Sequence, residues 1–175
     1  MASGLMQQAC GIRLLTCDVD GVLTDGRIYV GDDGKEQKAF NALDGVGLKM
    51  LMRAGITVAW ITGSNAPAVL HRAHALGVTR VVQGAEDKLT PWEVLRQELA
   101  LPTIACAHIG DDLPDVPVFA RCGFAVTVPH APESVRAQAQ FVTGRDGGSG
   151  AVRELCEMIL AAQGVLLPQH AAFGA

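Results

Sequence analysis

Residues 12–25 read IRLLTCDVDGVLTD. The run from Ile12 to Cys17 is short and largely apolar and stops at Asp18, as a buried strand of a parallel sheet does on reaching the sheet rim. Similar runs recur at 56–61, 80–82, 104–109 and 124–126, and helical patterns lie between and around them at 48–54, 66–76, 91–99, 115–121, 132–138 and 150–162. Strands alternating with helices imply right-handed crossovers. The expected fold class is therefore α/β, a doubly wound, mainly parallel sheet of Rossmann-like type. One segment breaks the alternation. Residues 27–30 and 36–39 flank Gly31-Asp32-Asp33-Gly34, whose Asp-Gly chemistry suits a tight turn, so a β-hairpin over about 27–39 is expected to project just after the first strand.

Composition narrows the class further. A chain of 175 residues with 49 % hydrophobic content is sized for one packed domain. Fourteen Lys and Arg against 18 Asp and Glu leave a net charge of −4, without the basic excess of a nucleic-acid binder. Cys10, Cys17, Cys106, Cys122 and Cys156 are odd in number and widely spaced with no C-x-x-C pair, and read as reduced, mostly buried thiols. The first eleven residues lack the basic and apolar stretches of a signal peptide, which points to the cytoplasm. The apolar runs are strand-sized, far short of the ~20 residues that cross a bilayer, so no membrane partner is expected. The organisation expected is an N-terminal extension (1–11), a single domain (12–164) and a flexible tail (165–175) in which Leu166, Leu167 and Phe173 are available for docking.

In a doubly wound sheet, ligands bind beyond the carboxyl ends of the strands where the strand order reverses. Asp18 and Asp20 follow the first strand, Thr62 and Gly63 the second, and Gly110-Asp111-Asp112 with Asp115 the fourth, while Lys88 lies in the loop after the third. Mg2+ wants hard oxygen ligands and keeps several waters, so the carboxylates of Asp18 and Asp111 with one carbonyl suffice. Lys88, the Thr62 hydroxyl and backbone N–H groups near Gly21 and Gly63 are suited to a phosphoryl group, whose transfer depends chiefly on positioning and charge. Asp18 is the candidate nucleophile on phosphorus, and Asp20 can serve the same substrate as acid and base if Gly21 lets the chain turn.

DVDGVLTD (18–25), Thr62 at a strand end, Lys88, and GDDLPD (110–115) resemble, in order, the four motifs of the haloacid dehalogenase superfamily of phosphatases. From about residue 12 to 164, the hairpin, FNALDGVGLKML (40–51), GDDLPDVPV and GGSGAVRELCEMIL (147–160) most resemble the 3-deoxy-D-manno-octulosonate 8-phosphate phosphatases of that superfamily. The resemblance implies Asp18 as nucleophile and metal ligand, Asp20 as acid/base and carbonyl ligand, and Asp111 as metal ligand, with Mg2+ as cofactor. It also implies Thr62, Gly63, Lys88, Asp44 and Arg72 as phosphate and substrate contacts, and Asp112 and Asp115 as residues that orient them. Relatives commonly have Thr-Gly-Arg where this chain has Thr62-Gly63-Ser64-Asn65, so Arg72 on the next helix is expected to cover part of the lost charge.

Plainer roles stand beside these. An Asp at a strand end can cap a helix, which applies most to Asp112 and Asp115. His71 and His74 share a helix face as surface residues do, and Gly147-Gly148-Ser149-Gly150 lacks the lysine of a phosphate cradle and reads as a turn where chains pack closely. The intervals from Asp25 to Thr62 (37 positions) and from Thr62 to Lys88 (26) leave no room for a cap domain. The resemblance accordingly implies a homotetramer in which hairpins pack together and a neighbour covers the site. The expected activity is Mg2+-dependent hydrolysis of the octulosonate phosphate, a small phosphorylated sugar acid, through an aspartyl phosphate. A sialic-acid-type or other small phosphoester is the alternative substrate, and a phosphoacceptor signalling module or a silent scaffold is the alternative of another class.

Overall fold

The computed structural model describes residues 2–167. Its main sheet has six strands, all parallel: β1 (Leu14–Cys17), β4 (Thr57–Ile61), β5 (Arg80–Val82), β6 (Cys106–Ile109), β7 (Phe124–Thr127) and β8 (Phe141–Val142), in the order β5-β4-β1-β6-β7-β8. The chain enters at the centre, builds outward through β4 and β5, and then returns to β1 to build the other half from β6. The order therefore reverses between β1 and β6, the point at which a doubly wound sheet opens its crevice. Every residue of β1, β6 and β7 is buried. Side chains of a strand alternate between the two faces, so both faces of the sheet are covered.

The cover comes from α1 (Ala2–Cys10), α2 (Ala42–Arg53), α3 (Pro67–Leu76), α4 (Leu89–Glu98), α5 (Val116–Phe119), α6 (Glu133–Arg136) and α7 (Ala151–Ala162). α7 packs on both α1 and α2, and α4 packs on α5. Helix α2 begins six residues before the expected start, capped by the Asn41 side chain accepting from the Leu43 N–H at 2.8 Å. Its glycines hid this beginning, because Gly lowers helix propensity. Here they are needed for contact: a Cβ on Gly47 would lie 3.1 Å from the Arg153 Cα, and one on Gly45 would lie 2.6 Å from an Arg72 guanidinium nitrogen. The omission of a side chain lets α2 close on α7 and α3, and that tertiary gain overrides propensity. α1 and the two-residue β8 likewise carry too little periodicity to be read in advance.

The hairpin forms as expected from β2 (Tyr29–Val30) and β3 (Glu36–Gln37), paired antiparallel. It leaves Ile28 65 % and Val30 64 % exposed. Val165 and Leu166, placed in the flexible tail by sequence, pack against the core, while Leu167 is exposed. The remainder of that tail, including Phe173, lies outside the described residues. Cys10 is exposed and the other four cysteines are buried and unbridged. No helix among the described residues is long and apolar enough to cross a membrane.

Candidate active site

The first strand ends in a single tight turn. The Leu23 and Thr24 N–H groups both donate to the Val19 carbonyl, at 2.9 and 3.0 Å. Gly21 takes φ +88, and a Cβ there would lie 1.9 Å from Asp111 Oδ2, so only glycine lets the turn approach the β6 loop. The Gly-rich stretch buttresses it from outside: the Gly148 N–H donates to the Val22 carbonyl, and a Cβ on Gly147 would lie 1.8 Å from the Gly21 carbonyl oxygen. That stretch is the close-packing turn expected of it.

This turn, the ends of β4 and β6 and the start of α4 surround an open cavity of about 490 Å³ lined by Asp18, Asp20, Thr62, Ser64, Lys88 and Asp111 among others. Gly63 and Asp112 also line it, as does Glu86, which sequence reading had not singled out. Asp18 is 6 % exposed and Lys88 4 %. Lys88 is positioned by the first turn of α4, where the Asp87 carboxylate accepts the N–H groups of Leu89 and Thr90. Its ammonium sits 2.9 Å from Asp18 Oδ1 and 2.7 Å from Asp115 Oδ1. Burial works to lower the Lys88 pKa, but the two carboxylate charges override it and hold the ammonium charged.

Asp115 is the hub of the site. Its Oδ1 accepts from Lys88 and stands 2.9 Å from His108 Nε2, and its Oδ2 accepts the N–H groups of Asp111 and Asp112, each at 3.2 Å. A carboxylate only accepts, so Nε2 of His108 carries a proton, while Nδ1 meets the Thr16 hydroxyl at 2.8 Å. Burial raises the Asp115 pKa, but the hydrogen bond and charge of His108, with Lys88, overrule it and bring it to about 2. Thr16 and His108 are fully buried residues of β1 and β6 that sequence reading passed over; their strand positions, facing each other in register, were the available signal. Asp112 caps the 3-10 turn Leu113–Asp115, accepting the Leu113 N–H at 2.8 Å, so the plainer role holds for it.

The site fits a divalent cation. Oxygens of Asp18, Asp111 and Asp115 lie within 4.8 Å of one another, yet Asp115 is saturated by its donors. Asp111 Oδ1 is buried with no hydrogen-bond partner. Asp18 is pushed up to about 8 and Asp111 to about 6, in each case by burial first and then by the Asp115 charge, with Lys88 opposing. Two carboxylates that resist ionising together want a counter-charge with hard-ligand preference, which is what Mg2+ supplies. Both folded-state pKa values exceed the ordinary 3.8. Over that interval the folded protein holds more protons than the unfolded chain, so stability contributed by these groups falls as pH rises. Metal-free protein is therefore expected to lose thermal stability from about pH 4 to 8, and Mg2+ to restore it increasingly over the same range. Melting curves with and without Mg2+ check this; a Mg2+ gain independent of pH would contradict it.

Two residues assigned to the substrate by resemblance lie outside the cavity of the single chain. Asp44 is 1 % exposed and its Oδ1 accepts the Arg153 N–H at 2.8 Å at the start of α7. Burial raises its pKa and the N–H groups of Arg153, Gly150 and Val152 oppose the rise, the signature of a helix cap. Arg72 donates to the Asn41 carbonyl at 3.4 Å between α3 and α2. Neither lines the cavity. Asp20, by contrast, lines it and is paired with a lysine that was not anticipated: Lys38 Nζ lies 2.5 Å from its Oδ1.

Comparison with known proteins decides the family. Residues 77–155 match the haloacid dehalogenase-like hydrolases. The 3-deoxy-D-manno-octulosonate 8-phosphate phosphatase of Yersinia pestis is 47 % identical over 163 residues, 93 % of this chain and 87 % of that protein. The chain belongs to that phosphatase family. Its Escherichia coli K12 member is 43 % identical over 95 % of this chain and 88 % of its own length. Among solved structures, the Yersinia pestis phosphatase superposes with TM-score 0.92, covering 93 % of this chain and 88 % of that one. The Moraxella catarrhalis phosphatase, solved with magnesium, phosphate and the sugar acid KDO, gives TM-score 0.96 at 42 % identity, covering 99 % of both chains.

Proposed function

We propose that this chain hydrolyses 3-deoxy-D-manno-octulosonate 8-phosphate to the free sugar acid and phosphate, using Mg2+ and an aspartyl phosphate on Asp18. The observation that carries the reading is the Asp18 carboxylate at the floor of the cavity, 2.9 Å from the Lys88 ammonium and beside Asp111. The family membership supplies the substrate.

Asp18 and Asp111, with the Asp20 carbonyl, would hold the metal; when bound, it neutralises phosphoryl and carboxylate charge and brings the two together. A carboxylate oxygen of Asp18 attacks phosphorus, the ester bond breaks, and the departing alkoxide takes a proton from Asp20. Asp20, now a carboxylate, removes a proton from water, whose oxygen attacks the phosphoaspartate and returns Asp18 and phosphate. Lys88 and the Thr62 hydroxyl, both lining the cavity, offset charge on the phosphoryl oxygens. Asp115 holds Lys88 against the nucleophile.

Steady-state kinetics with Mg2+ on a panel of phosphate esters tests the substrate. The octulosonate 8-phosphate is expected to have the highest kcat/KM; a higher value for a nine-carbon sialic-acid-type phosphate would reassign it, and a phosphoprotein stable for hours would favour a signalling role.

The assembly that accompanies this reading is a homotetramer built through the hairpin. Ile28, Tyr29 and Val30 are exposed on an element too small to bury them alone. Ile28→Asp with Val30→Asp is expected to dissociate the protein and reduce activity on the sugar-acid phosphate, read by sedimentation and assay together. A fully active wild-type monomer would defeat the proposal. A cytoplasmic setting agrees with the free thiols.

A further inference from the structure

The backbone bonds of the turn after β1 fix the Cα of Asp20 but leave its side chain to be held by something else. The side chain is 30 % exposed at the cavity wall. The hydrogen bond that the structure gives its carboxylate comes from Lys38, the residue directly after β3. The Lys38 side chain is only 2 % exposed, and its ammonium also stands 3.6 Å from Glu36 Oε2. An exposed ion pair of a long side chain contributes little. Withdrawing an ammonium from water is costly unless the partner geometry is good, so an ammonium this well hidden is a device of position rather than solubility.

We propose that Lys38 is the positioning residue of Asp20. It clamps Oδ1 so that Oδ2 faces the ester oxygen, and its charge offsets the negative charge that grows on Asp20 as the proton passes to the leaving alcohol. The O–H bond of Asp20 breaks as the alcohol O–H forms and the P–O bond opens, and the reverse transfer from water follows; Lys38 keeps its protons throughout. The proposal rests on the reading of Asp20 as acid and base. It makes the hairpin part of the catalytic machinery, because displacement of β3 displaces the clamp.

General acid catalysis matters most where the leaving group is poor. The test is Lys38→Met in the full-length protein with Mg2+, assayed on the octulosonate 8-phosphate, a neutral sugar phosphate and p-nitrophenyl phosphate, whose leaving group needs no proton. In single turnover, the rate of leaving-group release from both sugar phosphates is expected to fall about 30- to 100-fold with steady-state KM within about 3-fold, that of p-nitrophenol release to change less than about 3-fold, and Lys38→Arg to recover most of the loss, whereas the later hydrolysis of the phosphoaspartate slows alike for all three. Lys38→Gln, which keeps a donor without charge, provides the comparison should the Met variant fold poorly. Equal losses of leaving-group release on all three substrates, or none, would overturn the proposal, and a KM increase confined to the acidic substrate would assign Lys38 to substrate binding instead. Asp20→Asn separates the two levels. If it leaves the sugar phosphates unaffected, the role of Asp20 fails; if it abolishes their turnover while Lys38→Met is normal, only the clamp fails.

Discussion

Asp18→Asn is expected to reduce turnover by about 10⁴-fold or more, since an amide oxygen cannot form the acyl phosphate and loss of a nucleophile removes the whole covalent route. The same substitution is expected to leave the metal-free protein as stable as the parent or more so above neutral pH. Burial, Asp115 and Asp111 all disfavour the Asp18 charge, and only Lys88 favours it. Deleting that charge relieves repulsion, while Lys88 keeps its bond to Asp115. The pairing of lost activity with retained melting temperature separates a chemical role from a structural one. Phosphate release assays and melting curves read the two, and measurable single-turnover activity in Asp18→Asn would reject the aspartyl phosphate.

Asp115→Ala is expected to have the opposite profile, a large loss of stability together with a loss of activity. Four donors converge on this carboxylate: Lys88, His108 and the N–H groups of Asp111 and Asp112. Removing one partner of a buried charged pair costs about 3–5 kcal/mol, because the others are left without acceptors. For a chain of this length that is a fall in melting temperature of roughly 6–20 °C. Lys88, held then by Asp18 alone, should bind phosphoryl oxygens less well, so inhibition by inorganic phosphate is expected to weaken. His108→Phe, which removes one donor and keeps the carboxylate, should cost far less, roughly 1–2 kcal/mol. A melting temperature unchanged in Asp115→Ala would show that the hub does not hold the site.

Much of this was legible because the information was local. A parallel strand buried on both faces is largely apolar and ends where polar chemistry begins, so the runs at 12–17 and 104–109 marked both the sheet and its rim, and Asp18, Asp20, Thr62, Lys88 and Asp111 followed from such ends and the loops beyond them. The glycines of DVDGVLTD and of 147–150 were readable as turns, since φ +88 at Gly21 and +66 at Gly148 are backbone states that side chains rarely adopt.

What escaped was decided between distant segments. The start of α2 was hidden because Gly45 and Gly47 are poor helix formers whose worth lies in contact with α3 and α7. Asp44 and Arg72 carry the residue types of a substrate site, and within one chain Asp44 caps a helix more than a hundred positions away while Arg72 joins α3 to the start of α2. Nothing in the order of residues tells a carboxylate that faces a cavity from one that faces a helix end. Lys38 and His108 became visible only when the hairpin and β6 brought them against Asp20 and Asp115. By itself the sequence determined the class of sheet, the rim where the acidic residues gather and the chemistry open to them, because backbone periodicity and side-chain type are local. Tertiary structure alone decided which charges meet, since an ammonium and a carboxylate pair by distance in space.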